Sequence, residues 1–297
     1  MPGVTPSAGP ALQVSVVIPA YNEEASIGRD LAQVRKAMEL FTGTWELLVV
    51  DDGSTDRTSE IAREAGAVVV RHPDNRGTGA ARKTGVRHAR GEVVVMTDAD
   101  GTYPNEEIPA LLRHFPQYDQ VIGARRVERG TMRPLRALAK TGLRLIASWL
   151  TGARIPDPNS GFRAFKRDAM ARYLYLLPDG FSSVSSMTLV FLLTGHRVLF
   201  VPIDYFKRVG RSKFRPVRDT YWYLLSVLRL VAYFKPLEVF MPVSLALLAV
   251  GAVKSVADFV LLGSLQESDI VLLLGGLLLG ALAIVADTIA MHRRIDD

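Results

Sequence analysis

Residues 93–100 read Val-Val-Val-Met-Thr-Asp-Ala-Asp, and this stretch decides the fold class of the chain. Four apolar residues without polar alternation indicate a strand that is covered on both faces, as in a parallel sheet. Asp98 and Asp100 follow at i and i+2, so both carboxylates lie on one side where the strand ends. Acidic pairs are also ordinary in turns. Mg²⁺, however, is typically held by one or two carboxylates and substrate phosphates, so the stretch predicts a metal-bridged diphosphate site.

The first 125 residues alternate short apolar runs with helical segments. The predicted strands are Val14–Ile18, Glu46–Val50, Ala67–Val70, Val93–Met96 and Gln120–Ile122. The predicted helices are Glu24–Leu40, Thr55–Ala65, Gly79–Ala89 and Asn105–Phe115. This alternation predicts an α/β domain with a Rossmann-like, mostly parallel sheet.

Three polar clusters follow three of these predicted strands. They are Pro-Ala-Tyr-Asn-Glu at 19–23, Asp-Asp-Gly-Ser at 51–54 and Asp-Ala-Asp at 98–100. Each has a purely structural alternative, because Asn22 could cap the following helix, and Ser54 or Thr55 could cap the next one. Ligands of doubly wound sheets bind beyond the carboxyl ends of strands, so three clusters at one edge favour a binding site.

Two apolar segments near the C-terminus, at 237–262 and 270–291, are each long enough to cross a bilayer as a helix. Lys254 and Asp258 lie inside the first at i, i+4 spacing, where they pair with each other, face another helix or mark the membrane exit. The alternative is two core helices of a soluble protein. Leucine-rich stretches leave little polar face for such helices, so the pattern favours a transmembrane hairpin at 236–291.

Basic residues flank this hairpin unevenly. The link at 263–269 has no Lys or Arg, whereas Lys235 precedes the first segment and Arg293 and Arg294 follow the second. The positive-inside rule therefore predicts a membrane protein whose N-terminal domain and both termini are cytoplasmic. We also expect a disordered tail at 1–12 and a cytoplasmic tail at 292–297.

The net charge and the cysteine count narrow the choice of partners. The formal net charge is +6 with no cysteine, so disulfide and thiolate chemistry are excluded. Beside a membrane hairpin, this basic excess favours lipid headgroups and phosphorylated substrates over nucleic acid. Pairing of the hairpins of two copies into a homo-oligomer is left open.

Longer motifs carry a family resemblance. The chain reads Val-Ile-Pro-Ala-Tyr-Asn-Glu at 17–23, Val-Val-Asp-Asp-Gly-Ser-Thr-Asp at 49–56 and Asp-Ala-Asp at 98–100. In this order they resemble inverting glycosyltransferases of family 2, whose fold is called GT-A. The motifs Asn-Arg-Gly at 75–77, Val-Ile-Gly-Ala-Arg at 121–125, Asp-Pro-Asn-Ser-Gly-Phe-Arg at 157–163 and Arg-Val-Gly-Arg-Ser-Lys at 208–213 are similar to the polyprenyl-phosphate branch, which includes dolichyl-phosphate mannose synthases.

The resemblance implies a domain arrangement and a set of roles. It covers residues 13–215 as the GT-A domain, and we expect interfacial helices at 134–150 and 216–235. The nucleotide sugar would be bound by Pro19, Tyr21, Asn22, Glu23, Val50, Asp52, Asp98, Ala99, Asp100, Arg208, Ser212 and Lys213. The acceptor phosphate would be bound by Arg125, Arg136, Ser160 and Arg163. Mg²⁺ or Mn²⁺ would be held by Asp98 and Asp100, and the catalytic set would be Asp98, Asp100, Arg125 and Arg208.

The implied reaction moves a hexose from a nucleotide diphosphate sugar to a polyprenyl phosphate, dolichyl or undecaprenyl, with inversion at the anomeric carbon. GDP-mannose is favoured over UDP-glucose and UDP-N-acetylglucosamine. Many mannosyl synthases of this branch have Gln where this chain has Thr102, which weakens the assignment of mannose. A phosphate monoester is mostly dianionic at neutral pH, so no catalytic histidine is expected.

Two other functions stay open at this point. One is a family 2 enzyme that extends a glycan or another lipid acceptor, although the chain lacks the Gln-x-x-Arg-Trp sequence that many processive members carry. The other is a non-catalytic membrane protein that binds sugar nucleotides. Nucleic-acid binding has no motif to support it.

Overall fold

The computed structural model describes residues 13–126, 148, 152–208 and 216–296. The chain divides after Ser226 into two compact units, which are described separately. The expected tail at 1–12, nearly all of the expected segment at 134–150, and three predicted site residues lie outside the described residues. Those three are Arg136, Ser212 and Lys213.

The first unit is built on a seven-stranded sheet. Its strands are β1 (Val14–Ala20), β2 (Trp45–Asp51), β3 (Val68–Arg71), β4 (Val93–Met96), β5 (Gln120–Arg125), β6 (Arg163–Lys166) and β7 (Val198–Ile203). Their order is β3-β2-β1-β4-β6-β5-β7, and every neighbouring pair is parallel except those made by β6. The predicted mostly parallel sheet is therefore confirmed.

Two strands were not predicted from the sequence. β6 is only four residues long, and it begins with Arg163 and ends with Lys166. β7 contains Pro202 and lies at the edge of the sheet, where a strand tolerates proline. The charged ends of β6 mask the apolar pattern on which strand prediction depends, whereas in β7 only Pro202 argues against a strand.

Helices cover the sheet, and their positions follow the predicted alternation. They are α1 (Ile27–Met38), α2 (Thr58–Glu64), α3 (Thr78–His88), α4 (Ile108–Leu112), α5 (Arg167–Ala171) and α6 (Ser183–Leu193), with 3₁₀ turns at Asn105–Glu107 and Leu174–Leu176. The next helix, α7 (Pro216–Phe234), runs across the boundary between the two units. The α1 stripe of Ile27, Leu31, Val34 and Met38 packs with the buried side chains of β1. Because these apolar residues recur at helical spacing, α1 lies along one face of the sheet.

The second unit contains a helical hairpin made of α8 (Pro236–Leu262) and α9 (Glu267–Asp296). Both predicted apolar helices are confirmed, and both are long enough to cross a membrane. Lys254 forms ion pairs with Asp258 on its own helix and with Asp269 at the start of α9. Of the alternatives for Lys254 and Asp258, mutual pairing is thus correct, and Lys254 also contacts the facing helix.

Small residues let the two helices of the hairpin approach closely. The Ser244 hydroxyl of α8 donates a 2.7 Å hydrogen bond to the backbone carbonyl of Gly276 on α9. A Cβ atom at Gly276 would lie 2.7 Å from Leu248 Cγ, well inside normal contact distance. Close contact through small residues is a common way for membrane helices to associate.

We expect Gly276→Val to destabilise the hairpin, because its methyl groups would push Leu248 away from α9. Overpacking of this kind costs about 1–3 kcal/mol. Thermal unfolding of the detergent-purified protein measures the effect. Gly275→Val is the matched control, since a Cβ atom there meets nothing within 4 Å and the change in helix propensity is the same. Equal losses in the two variants would contradict close packing at Gly276.

Candidate active site

The three polar clusters meet at one edge of the sheet, as predicted. They follow β1, β2 and β4, which are adjacent and parallel, so their carboxyl ends point the same way. The Ser26 hydroxyl, after the first cluster, donates a 2.6 Å hydrogen bond to the carbonyl of Ala99 in the third. The edge is therefore a connected set of loops.

Asn22 joins the first cluster to the second. It has a left-handed backbone with φ 51°, a conformation that Asn tolerates better than most residues. Its backbone N–H donates to Ser54 Oγ at 2.9 Å, and its Oδ1 accepts the N–H of Thr55 at 2.8 Å. The alternative that Asn22 caps the following helix is wrong, because Ser26 occupies the N-cap of α1.

The buried carboxylate of Asp52 holds the loop that leads into α3. Its Oδ1 accepts the N–H of Arg76 at 3.0 Å and lies 2.7 Å from His72 Nδ1. Its Oδ2 accepts the N–H of Gly77 at 2.8 Å. His72 in turn contacts Thr84 Oγ1 through Nε2 at 2.9 Å, so Asp52 ties β2 to α3. Direct contact of Asp52 with a nucleobase or ribose stays a prediction.

The remaining predicted nucleotide residues lie on the same edge with unequal exposure. Pro19 and Val50 are buried in β1 and β2, whereas Tyr21 and Glu23 are half-buried at the rim. Surface for a ligand is therefore offered by Tyr21 and Glu23 rather than by the Pro19 and Val50 side chains.

Asp98 is held by an arginine from α3. Its Oδ1 accepts a 2.7 Å charge-assisted hydrogen bond from the guanidinium of Arg82, and 23% of its side chain is exposed. A Cβ atom at Gly161 would lie 2.7 Å from Asp98 Oδ2, so only glycine leaves room for the carboxylate there. The Asp98 carboxylate is thus held on one side by the Arg82 guanidinium and bounded on the other by the Gly161 backbone.

Asp100 is held by a second arginine and by Thr102. Its Oδ2 accepts hydrogen bonds from Nε of Arg208 at 2.6 Å and from a second guanidinium nitrogen. Its Oδ1 accepts the Thr102 hydroxyl at 2.5 Å and the Thr102 N–H at 3.1 Å. The residue that departs from the mannosyl synthase motif therefore fixes the rotamer of Asp100.

A third carboxyl group, that of Asp30 on α1, lies beneath this loop. Its Oδ2 accepts the N–H of Gly101 at 2.9 Å, while Oδ1 is buried with no hydrogen-bond partner among the described residues. Burial raises the pKa of Asp30 to about 7, and the charges of Asp98 and Asp100 act in the same direction. The Gly101 hydrogen bond opposes these effects.

We expect Asp30→Asn to stabilise the protein at pH 8 and to change little at pH 4. Since the folded pKa is raised above its usual value of 3.8, ionisation at higher pH costs folding free energy. The cost grows between pH 4 and 7 and levels off above, on the order of 4 kcal/mol. Thermal unfolding of both proteins at pH 4.5, 6 and 8 measures it. A difference that did not grow with pH would contradict the raised pKa.

Arg125 forms a bidentate pair with Asp157. Its Nε and a terminal nitrogen lie 2.6 and 2.9 Å from the two carboxylate oxygens, and its guanidinium carbon is 5.1 Å from the ring centroid of Tyr205. Although burial acts in the opposite direction, this contact holds the pKa of Asp157 below its usual range. The ion pair fixes the guanidinium plane at the end of β5.

Ser160 and Arg163 lie deeper than predicted for residues that touch an acceptor. Arg163 is 1% exposed and donates to the Ser160 carbonyl and, at 3.1 Å, to Thr188 Oγ1. Burial lowers the pKa of Arg163 to about 9, with the charge of Arg82 contributing. The Ser160 hydroxyl is buried without a partner among the described residues. Their contact with an acceptor phosphate stays a prediction.

Three residues that hold parts of the site were not predicted from the sequence, namely Arg82, Asp157 and Tyr103. Arg82 lies within a predicted helix that is rich in basic residues, so nothing in its position separates it from a surface residue. Asp157 lies in the motif at 157–163, but the resemblance implies no role for it. No sequence pattern indicates a role for Tyr103, whose buried hydroxyl accepts the N–H of Gly161 at 2.7 Å beside Asp98.

Asp98 and Asp100 are a donor set that fits a hard divalent cation. Among the residues that the structure describes, no third His, Asp or Glu joins them in a metal-binding group. A site with two protein carboxylates requires further oxygens from water or phosphate, which is the usual arrangement for Mg²⁺ with a nucleotide. Gly161 keeps the space beside Asp98 Oδ2 free of a side chain.

The sheet with its single reversed strand, together with the polar edge, defines a glycosyltransferase domain of the GT-A type. Residues 15–174 match Glycosyl transferase family 2, and residues 235–291 match the GtrB C-terminal hairpin. The chain belongs to glycosyl transferase family 2, and the predicted enzyme class and fold are confirmed.

Several proteins are similar in sequence to this chain over much of its length. The dolichyl-phosphate hexose transferase of Haloferax volcanii is 34% identical over 205 residues, which cover 68% of this chain and 87% of that protein. Glycosyltransferase AglJ of the same organism is 32% identical over 247 residues, which cover 80% of this chain and 78% of AglJ. An undecaprenyl-phosphate 4-deoxy-4-formamido-L-arabinose transferase of Pectobacterium carotovorum is 34% identical over 168 residues, which cover 54% of this chain and 51% of its own length.

Solved structures share the fold at low identity. Glucosyl-3-phosphoglycerate synthase of Mycobacterium tuberculosis, solved with Mn²⁺, UDP and glucosyl-3-phosphoglycerate, has a TM-score of 0.56 at 23% identity and covers 74% of this chain and 80% of its own. Mannosyl-3-phosphoglycerate synthase of Rubrobacter xylanophilus has a TM-score of 0.58 at 22% identity, covering 74% of this chain and 73% of its own. At this level of identity the likeness concerns the fold alone.

Proposed function

We propose that this enzyme transfers a hexose from a nucleotide diphosphate sugar to a polyprenyl phosphate, with inversion at the anomeric carbon. The observation that carries the proposal is the pair of carboxylates at the end of β4, each held by an arginine, in a chain that also has a membrane hairpin. Relatives named for dolichyl phosphate and undecaprenyl phosphate support a lipid phosphate as the acceptor.

The donor half of the proposal rests on the edge formed by β1, β2 and β4. Tyr21 and Glu23 lie at the rim for the nucleoside, and Asp98 and Asp100 are the proposed ligands of Mg²⁺ or Mn²⁺. When bound there, a divalent cation would neutralise the diphosphate as it leaves. GDP-mannose is the proposed donor, ahead of UDP-glucose and UDP-N-acetylglucosamine. Arg208 would move from Asp100 to the donor phosphates, and Ser212 and Lys213 would assist it.

The acceptor half rests on cationic groups that can bring two anions together. A phosphate monoester has a second pKa near 6, so at neutral pH its oxygen attacks without removal of a proton by a base. The task of the chain is to position that oxygen and to balance its charge. Asp157 sets the plane of the Arg125 guanidinium. A planar, forked guanidinium binds a phosphate with better geometry than the ammonium group of a lysine does. Arg136 is proposed to assist.

The proposed membrane location rests on the hairpin and on α7. The apolar helices α8 and α9 indicate a membrane protein, and we infer that the catalytic domain and both termini are cytoplasmic. Near its start, α7 exposes two aromatic residues, Tyr221 and Trp222, the residue types that concentrate at membrane interfaces. Leu224, Leu225 and Leu228 are exposed on the same helix, which supports an interfacial position for 216–235. A helix in the membrane interface suits an enzyme whose proposed acceptor is itself a lipid.

The test is a panel of donors with the detergent-purified full chain, Mg²⁺ or Mn²⁺, and a short polyprenyl phosphate. Released nucleotide and formation of glycolipid are scored together, and the anomeric configuration of the product is read by NMR. One donor should give stoichiometric nucleotide and glycolipid, with the configuration inverted. Donor hydrolysis without glycolipid, or transfer only to a glycan, would overturn the lipid-phosphate acceptor. Retained configuration would overturn the proposed direct attack.

A further inference from the structure

We propose that Arg82 is a positioning residue for sugar transfer: it holds Asp98 Oδ1 so that Oδ2 is left for the cation that binds the donor. The proposal rests on the metal role given to Asp98 in the proposed function. Within the described residues Oδ1 accepts the hydrogen bond from Arg82, and Oδ2 has no hydrogen-bond partner. The two oxygens of Asp98 therefore have different tasks.

Arg82 is anchored well enough to impose this orientation. Arg82 is 5% exposed, and its guanidinium lies 2.7 Å from Asp98 Oδ1 and reaches Ser183 Oγ on α6 at 3.4 Å. The helix that carries it is itself fixed, because the N–H groups of Gly79 and Ala80 donate to the Asp179 carbonyl at 2.7 and 3.2 Å. The Arg82 side chain is buried, its guanidinium is hydrogen-bonded, and the helix that carries it is anchored. It therefore cannot readily move if the Asp98 carboxylate rotates.

Electrostatic cost argues that Arg82 serves a purpose other than packing. The buried guanidinium of Arg163 lies near enough for the charge of Arg82 to lower its pKa. Two buried cations side by side are unfavourable, so Arg82 stands there at an electrostatic cost that packing alone does not explain. The carboxylate of Asp98 is the group that balances this positive charge, and its orientation is what the arginine controls.

Gly161 completes the restriction from the opposite side. Its missing Cβ atom would stand 2.7 Å from Asp98 Oδ2 and 3.3 Å from Oδ1, so the carboxylate packs directly against the backbone. The Gly161 N–H is bonded to the buried Tyr103 hydroxyl at 2.7 Å, which keeps that backbone in place. Arg82 and Gly161 thus leave Asp98 one orientation.

Groups that orient metal ligands commonly change metal affinity or activity by about 10- to 100-fold when removed. We therefore expect Arg82→Met to weaken Mn²⁺ binding in the presence of GDP or UDP by about 10- to 100-fold, measured by titration without turnover. Arg82→Lys retains a charged donor and should recover part of the loss. In turnover, KM for Mn²⁺ should rise more than kcat falls.

Two variants of the same helix serve as controls. Arg87→Met removes an exposed positive charge from α3, and Lys83→Met removes the contacts of Lys83 with Asp179 and the Leu177 carbonyl. Neither residue contacts Asp98 in the structure, so Mn²⁺ affinity should be unchanged in both. If Lys83→Met lowered the affinity as much as Arg82→Met does, Arg82 would act through the stability of α3, and the proposal would be overturned.

Asp98→Asn separates failure of this proposal from failure of the proposed function. If Asp98→Asn weakens Mn²⁺ binding while Arg82→Met and Arg82→Lys do not, the positioning role is overturned and the metal role of Asp98 stands. If Asp98→Asn leaves Mn²⁺ affinity unchanged, the metal role is overturned and the positioning role with it. Loss in Asp98→Asn and Arg82→Met, with partial recovery in Arg82→Lys, supports both.

Discussion

Replacing Asp100 with Asn is expected to reduce sugar transfer by about 1,000-fold, because the amide removes the negative charge that a divalent cation and Arg208 both require. Removal of one group that stabilises developing charge commonly costs about 100- to 1,000-fold in kcat. The effect of Asp100→Asn should lie at the upper end, since the variant weakens the proposed cation site and also no longer holds Arg208 in place before the donor binds.

Thermal unfolding should change little in Asp100→Asn. The amide oxygen can still accept the Thr102 hydrogen bonds, and Arg208 is about one-third exposed, so water can solvate its guanidinium. Released nucleotide and glycolipid measure the transfer, and Mn²⁺ titration measures the metal. Asp168→Asn, at a carboxylate that is 82% exposed, is the matched control. An Asp100→Asn enzyme of normal activity would remove Asp100 from the proposed machinery.

Arg125→Lys is expected to raise KM for the polyprenyl phosphate by about 10- to 100-fold while donor affinity changes little. A lysine keeps the charge but cannot bond a phosphate and Asp157 through one planar fork. Hydrogen bonds to charged groups contribute about 1.5–3 kcal/mol each, which corresponds to this range. Lysine is preferred to alanine, because loss of the charge would leave Asp157 buried and unpaired and would destabilise the fold.

Arg126→Lys provides the control for Arg125→Lys. Arg126 follows directly in the sequence, but its side chain is 60% exposed, and it pairs with Asp204 at 3.4 Å rather than with Asp157. KM for both substrates should be unchanged in this variant. Initial rates over a grid of donor and lipid concentrations separate the two constants. Equal increases in both constants for Arg125→Lys would contradict a role at the acceptor.

The sequence was sufficient for the centre of the sheet. β1, β2 and β4 are apolar runs with both faces buried, so their composition alone indicates parallel strands. β6 could not be predicted in this way, because its four residues include Arg163, whose burial depends on the Ser160 carbonyl and Thr188. The strand exists because tertiary contacts accommodate a charged residue, and such contacts leave no local pattern.

In the site, the positions of the carboxylates could be predicted from the sequence, but their pairing with arginines could not. Carboxylates that directly follow apolar strands can be placed at the sheet edge from the strand assignment alone. Their arginine partners cannot, since Arg82 precedes Asp98 by 16 residues and Arg208 follows Asp100 by 108. Such pairings depend on how α3 and the segment after β7 pass the edge, which is a property of the folded chain.

The reversed direction of β6 has a consequence for how substitutions act. In a parallel sheet the chain enters each strand at the edge opposite the ligands, but β6 enters at the ligand edge, with Arg163 beside Met96 at the end of β4. The residues just before it therefore contact two of the predicted site residues: Asp157 holds Arg125, and Gly161 lies against Asp98. A single short segment thus sets the positions of both Arg125 and Asp98. Under the proposed function, a substitution selected in this segment for its effect on one substrate is expected to alter recognition of the other.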